Sequence, residues 1–256
     1  MPLTTSRSEF FDAHLAELGV RAGMKILVHS SLVSFGRIDG GVATVYDALR
    51  RAVGAGGTIA VPTFTFHIRP EDVMDPATTP SRGFGALSEW LRERPGAQRS
   101  RCPIHGFAAI GPAAGVVADA DETKSFGVAS GFDVMHRAGF HLLLLGCTFQ
   151  QGATYVHHVE TLTGVPYREW VKLPRQLRDA DGRVRPIHVD YYSRVRGTPW
   201  QPSLYGLQDA MIARQFVRVA KAPYGHSYLM DLDALHRTAA EMLSTNRYAF
   251  VAKDAA

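Results

Sequence analysis

Residues 24–62 constrain the fold more than any other stretch of this chain. MKILV at 24–28 is a short apolar run that ends in the polar segment HSSLVSFG. Gly40–Gly41 then opens VATVYDALRRAVG, where Val42, Val45, Leu49 and Val53 fall on one helical stripe and Gly54 lies beyond the end. TIAVP at 58–62 is a second apolar run, stopped by Pro62. Strand–helix–strand at this spacing is a βαβ unit, which implies parallel pairing and a right-handed crossover. HLLLL at 141–145, bounded by Gly146, has the continuous apolar character of a central strand covered on both faces. Helical spacing predicts further helices over 8–20 (Ser8 as cap, Gly19 as stop), 84–94, 131–138, 207–221 and 231–243, the last capped by Asp231. Short strands are expected at 106–111 and 248–252. The stretch 161–206, rich in Pro, Arg and Tyr, breaks this rhythm, and its RDADGRV at 178–184 is an Asp-Gly hairpin signal. The expected class is α/β, with a mixed central sheet, flanking helices and a β-rich excursion at 161–206 inside a single domain spanning 1–256.

Composition excludes several functions. With 46% hydrophobic and 20% charged residues, 256 residues can bury a substantial core. No apolar run approaches the ~18 residues of a membrane span, and the start lacks an apolar signal region, so the expectation is a cytoplasmic protein with no membrane partner. Cys102 and Cys147 lack CxxC flanks and read as reduced packing thiols. The net charge of +4 comes with arginine clusters at 92–101 and 175–185, but no nucleic-acid module is present and no nucleic acid is expected.

Polar residues collect where strands end. HSSLVSFGRIDGG at 27–41 puts Ser30, Ser31 and Ser34 beyond a strand, where ligands of open α/β sheets bind; a phosphate-binding loop and a helix-capping loop both fit. TFTF at 63–66 leaves the second strand at the same edge. RCPIHGFAAIG sets His105 before another strand, a position more often structural than catalytic. KSFGVASG offers Ser125, Gly127 and Ser130 ahead of a helix. In TYVHHVE, helical geometry would put Thr154, His157 and Glu160 on one face. A histidine beside a carboxylate is held in one tautomer, as a general base requires. Two surface histidines on a capped helix have the same signature, so the segment alone leaves both open.

Taken together, HSSLVSFGRIDGG, GAGGTIAVPTFTF, PIHGFAAIGPAA, SFGVASGFDVM and LLLLGCTFQQGATYVHHVE resemble the aminoglycoside 3-N-acetyltransferase (antibiotic N-acetyltransferase) family, in order and spacing, from about residue 8 to 250. The resemblance implies that family's own α/β fold, distinct from the common acetyltransferase fold, and acetyl-CoA as co-substrate with no metal. It implies a CoA thioester and a small-molecule amine as partners of a monomer or homodimer. His157 would be the base, Glu160 its orienting partner, and Thr154 a donor near the thioester carbonyl. Ser30, Ser31, Ser34 and Thr63 would surround the pantetheine and pyrophosphate, with Ser125, Phe126 and Gly127 along the same groove. His105 and Phe64 would face the acceptor, and 161–206 would form an acceptor-side insertion. Two departures stand out. The family's H-P-x-H-S is replaced by Cys102-Pro103-Ile104-His105-Gly106, and the chain is basic where a polycationic acceptor calls for carboxylates. A phosphorylated or nucleotide-linked amine is therefore the alternative acceptor. A metal-dependent hydrolase is disfavoured because no H-E-x-x-H occurs and adjacent histidines diverge on a helix.

Overall fold

A computed structural model describes residues 4–253. Its central sheet has seven strands, β1 (Lys25–Ser30), β2 (Thr58–Pro62), β3 (Gln98–Arg99), β4 (Phe107–Ile110), β5 (His141–Leu145), β6 (Val217–Ala222) and β7 (Gly225–Asp231), in the order β6-β7-β5-β1-β2-β4-β3. β1 pairs in parallel with both β2 and β5, whereas β4 and β7 run antiparallel to their neighbours, so the sheet is mixed as expected. The βαβ unit is present: helix Gly41–Val53 joins β1 to β2 and buries Val45, Leu49 and Val53.

β5 shows why a continuous apolar run belongs in the middle of a sheet. Successive side chains point to opposite faces. Leu142 and Leu144 enter one core with Phe107, Phe132 and Val156, while Leu143 and Leu145 enter the other with Phe11, Leu49 and Leu87. Helices Ser8–Glu17, Gly41–Val53 and Ala86–Arg92 cover the second of these faces. Helices Gly131–Arg137, Val156–Thr163, Tyr205–Ala213 and Leu232–Thr245 cover the first. Asp231 caps the last of them, its carboxylate accepting from the Asp233 and Ala234 amides at 2.8 and 3.1 Å.

The excursion is a long antiparallel hairpin, Arg168–Arg178 with Val184–Arg194, turned by Asp179–Arg183 and extended by the short strand Val73–Met74. Trp200–Pro202 pairs with Val251–Lys253, the strand expected at 248–252.

Three local expectations give way. The helix expected over 207–221 ends at Ala213, where Gln215 adopts a left-handed φ of 57°. The following VRVAKA is β6, which turns through Pro223–Tyr224 into β7; its buried Ala220 and Ala222 obey a period of two, not 3.6. Ser8 does not cap its helix. Arg7 occupies that position, and the Ser8 hydroxyl instead accepts from Arg51 at 2.7 Å. Finally, helix Val156–Thr163 begins too late to include Thr154, so only His157 and Glu160 share it.

Candidate active site

The site grows out of the end of β5. Gly146 turns the chain with φ 70°, and a Cβ there would lie 2.7 Å from both the Ser31 carbonyl and the Phe35 ring. Thr148 then opens a one-turn helix through a reciprocal capping box with Gln151. Helix Val156–Thr163 follows, anchored in the core by Val156 and Val159 and stopped by Gly164 in the left-handed conformation. His157 and Glu160, three residues apart, meet: His157 Nδ1 lies 2.7 Å from Glu160 Oε2. Thr154 stands in the preceding turn, its carbonyl accepting from the His157 amide at 3.0 Å.

Glu160 is 1% exposed. Burial alone would raise its carboxyl, but the His157 ring, the Arg168 guanidinium and the Tyr167 hydroxyl outweigh that cost and hold it below the ordinary carboxylate range. Tyr167 donates to Oε1 at 2.8 Å, and Arg168 Nε pairs with Oε2 at 2.6 Å. Arg168 Nη1 donates to the Tyr192 carbonyl at 3.1 Å, while Nη2 sits 2.8 Å from His157 Nδ1. The carboxylate only accepts and the guanidinium only donates, so Nδ1 can serve one of them at a time. Arg168 has other acceptors and the carboxylate is the stronger partner, so Nδ1–H donates to Glu160. Nε2 then carries the ring's lone pair; the side chain is 24% exposed, and Arg168 Nη2 lies 3.3 Å from that nitrogen. Tyr167 and Arg168 are absent from the sequence reading. Arg168 opens the next strand and Tyr167 ends the turn before it, and both reach the helix by a chain reversal that no local period records.

An aromatic wall continues from His157. Phe126 lies edge-on at 6.0 Å, His105 packs on Phe126 at 4.3 Å, and Phe64 meets His105 at 4.6 Å. The structure thus gathers Phe64, His105, Phe126 and His157. Burial, with the nearby charges of His157 and Arg168, pushes His105 well below its ordinary value, so it stays neutral and its Nδ1 has no partner among the described residues. Ser125 is buried with its hydroxyl likewise unpartnered, and its amide donates to the Asp190 carbonyl at 3.0 Å. The Gly127 amide donates to His158 Nδ1 at 3.2 Å.

A cleft of about 470 Å³ lies beyond the ends of β1, β2 and β5, walled by Ser30, Ser31, His29, Phe84, Gln151 and Gly152 among others. This is the edge at which open α/β sheets bind ligands. Ser34 and Thr63 are not on its wall. The Ser34 hydroxyl donates to the Gly146 carbonyl at 2.5 Å, and the buried Thr63 hydroxyl accepts from Arg99 at 3.1 Å, so both hold loops together. His29 and Gln151 were not singled out from sequence. Burial lowers His29 to about 4 and raises Cys147, also on the wall, to about 12.

His158 points away from His157 and toward His136 and His236, with ring nitrogens of all three within 4.8 Å. Its Nδ1 accepts from Gly127 at 3.2 Å, so a metal at His158 Nε2 would cost that hydrogen bond, because the ring proton would have to move to Nδ1; His236 Nδ1 contacts the Tyr155 hydroxyl at 2.9 Å.

Comparison with known proteins agrees with this arrangement. The family model for aminoglycoside 3-N-acetyltransferase matches residues 27–244. An aminoglycoside N(3)-acetyltransferase III from Salmonella sp is 31% identical, over 85% of this chain and 84% of its own length. The crystal structure of aminoglycoside acetyltransferase AAC(3)-IIb superposes with a TM-score of 0.83 at 26% identity, covering 94% of this chain and 98% of that one. AAC-IIIb in its binary complex with CoASH gives 0.82 at 25% identity, covering 94% and 97%.

Proposed function

The chain belongs to the aminoglycoside 3-N-acetyltransferase family, and we propose that it transfers the acetyl group of acetyl-CoA to a primary amine of an aminoglycoside or amino-sugar-like acceptor, with His157 as general base. The observation that carries the mechanism is the 2.7 Å contact between His157 Nδ1 and the buried Glu160 carboxylate. It supports the tautomer in which Nε2 can accept a proton.

An ammonium has no lone pair to attack with, so the acceptor must reach the site as a free amine. Its nitrogen attacks the thioester carbonyl carbon, a C–N bond forms, and the proton passes to His157 Nε2. The resulting imidazolium is held by Glu160, whose carboxylate is already ionised. Collapse breaks the C–S bond, and the departing thiolate takes the proton back. The Thr154 hydroxyl, beside the start of the helix, is assigned as donor to the carbonyl oxygen as it gains charge. Ser30 and Ser31 on the cleft wall would hold the CoA arm, and Phe126 and Gly127 would line its path toward His157. Burial keeps Cys147 a thiol, in line with direct transfer and no acyl-enzyme.

Thiol release from acetyl-CoA with a panel of amines tests this. A His157→Ala variant is expected to lose roughly 10²–10⁴ in kcat, the usual worth of a positioned base, while calorimetry shows acetyl-CoA affinity within about twofold of the parent. Full activity in that variant overturns the mechanism.

A further inference from the structure

A pocket that adjoins His157 through Arg168 is lined with positive charge. It measures about 360 Å³ and is walled by Arg168, Tyr191, Ser193, Arg194, Arg196 and Trp200 among others. Arg168 joins it to the reacting group, since the same guanidinium touches His157. Among the described residues no aspartate or glutamate lines this pocket; Glu169, in register with Ser193, is not on its wall.

Arg168 and Arg194 stand directly opposite each other across the antiparallel hairpin. Like charges in that relation destabilise a sheet unless something neutralises them. Glu160 neutralises Arg168. Among the described residues, Arg194 has a neutral acceptor, the Gln201 side-chain oxygen at 2.9 Å, and no ion pair with a carboxylate. Arg196, like Arg175 and Arg183 of the same excursion, has no carboxylate within ion-pair distance among the described residues, whereas Arg101, Arg178 and Arg185 do. Arg194 and Arg196, neither within ion-pair distance of a carboxylate among the described residues, thus sit on the pocket that Arg168 links to His157. A polycation entering it would be repelled by both.

Resting on the acyltransferase reading above, we infer that this pocket holds an anionic group of the acceptor, so that the preferred substrate is an amine that also carries a phosphate ester. Arg194 and Arg196 would bind the phosphate by charge-assisted, fork-like hydrogen bonds, and the indole of Trp200 would support the apolar face of the intervening ring.

The test measures kcat/KM with saturating acetyl-CoA for an amino sugar, its 6-phosphate ester and a polycationic aminoglycoside. The expected result is a preference of about tenfold or more for the ester over the parent sugar, the scale of one charge-assisted contact. In Arg196→Ala that ratio should fall to within a few-fold of one, and Arg196→Lys should restore part of it. Arg51→Ala, which removes a charge paired to Asp12 on another helix, should leave the ratio unchanged and so controls for net charge. Equal rates for sugar and ester, a faster polycation, or a ratio untouched in Arg196→Ala would each overturn the phosphate assignment while leaving the acyltransferase standing. Acetylation of none of the three would remove the acyltransferase reading itself.

Discussion

At the scale of single residues, the site depends on one buried carboxylate that satisfies three groups at once. Glu160 accepts from Tyr167, takes Nδ1–H of His157 and neutralises Arg168. A Glu160→Gln variant should therefore fail in two separable ways. Arg168, 9% exposed, loses its counter-ion, and breaking one partner of a buried pair costs about 3–5 kcal/mol. Nδ1 is also freed to accept from Arg168, which moves the proton to Nε2 and, on the proposed mechanism, removes the base. Urea unfolding should report the first loss and thiol-release kinetics a roughly 10²–10⁴-fold fall in kcat for the second. Removing the stranded charge in a Glu160→Gln, Arg168→Met double variant should recover most of the stability and little of the rate; recovery of both would mean that Glu160 acts only structurally. The sequence made His157 and Glu160 legible because they are neighbours on one helix turn. Arg168 was illegible for a physical reason: an arginine in an arginine-rich strand looks solvated until the chain reversal at Gly164 folds it onto the helix.

Elements place these residues, and the element that matters most is the turn out of β5. Gly146 combines a positive φ with contacts from the Ser31 carbonyl, Phe35 and Ser34. Gly146→Ala should cost roughly 2–4 kcal/mol, the sum of left-handed strain and overpacking. Because the clash falls on the Ser31 loop of the cleft, KM for acetyl-CoA should rise as well. Gly139→Ala has a similar φ of 69° with no atom within 4 Å of the new Cβ. Its cost should stop near ~1 kcal/mol with KM unchanged. Equal penalties would show that backbone strain alone governs both sites. The same scale explains what was read well and what was not. Gly54, Pro62 and Gly146 bound their elements with conformational signals that single residues carry. β6 carried no such mark: Leu207, Met211, Ile212 and Phe216 continue a helical spacing past Ala213. Only tertiary packing, which buries Ala220 and Ala222 and leaves Ile212 and Phe216 more than two-fifths exposed, decides for a strand.

For the whole molecule, the histidines that surround the site make its stability depend on pH in a predictable window. Burial lowers His29 and His158 to about 4 and His105 well below its ordinary value, so all three are neutral in the native state at pH 7. In the unfolded chain each titrates near 6.5. Between these values the unfolded state binds protons that the native state refuses, so stability falls as the pH drops from about 6.5 toward about 4, by about 1.4 kcal/mol per pH unit for each ring. Glu160 contributes in a lower window. Its native carboxyl is held below the unfolded value, so its stabilisation is present above the ordinary carboxylate range and is lost only as the pH falls through it. His158→Asn separates these contributions, because an amide oxygen can still accept from the Gly127 amide while no longer titrating. Urea midpoints at pH 7 and pH 5 should show the variant losing about 2 kcal/mol less than the parent over that interval. An unchanged loss would mean that His158 takes up its proton without unfolding, and the acid sensitivity would then lie with His29 and His105 beside the cleft.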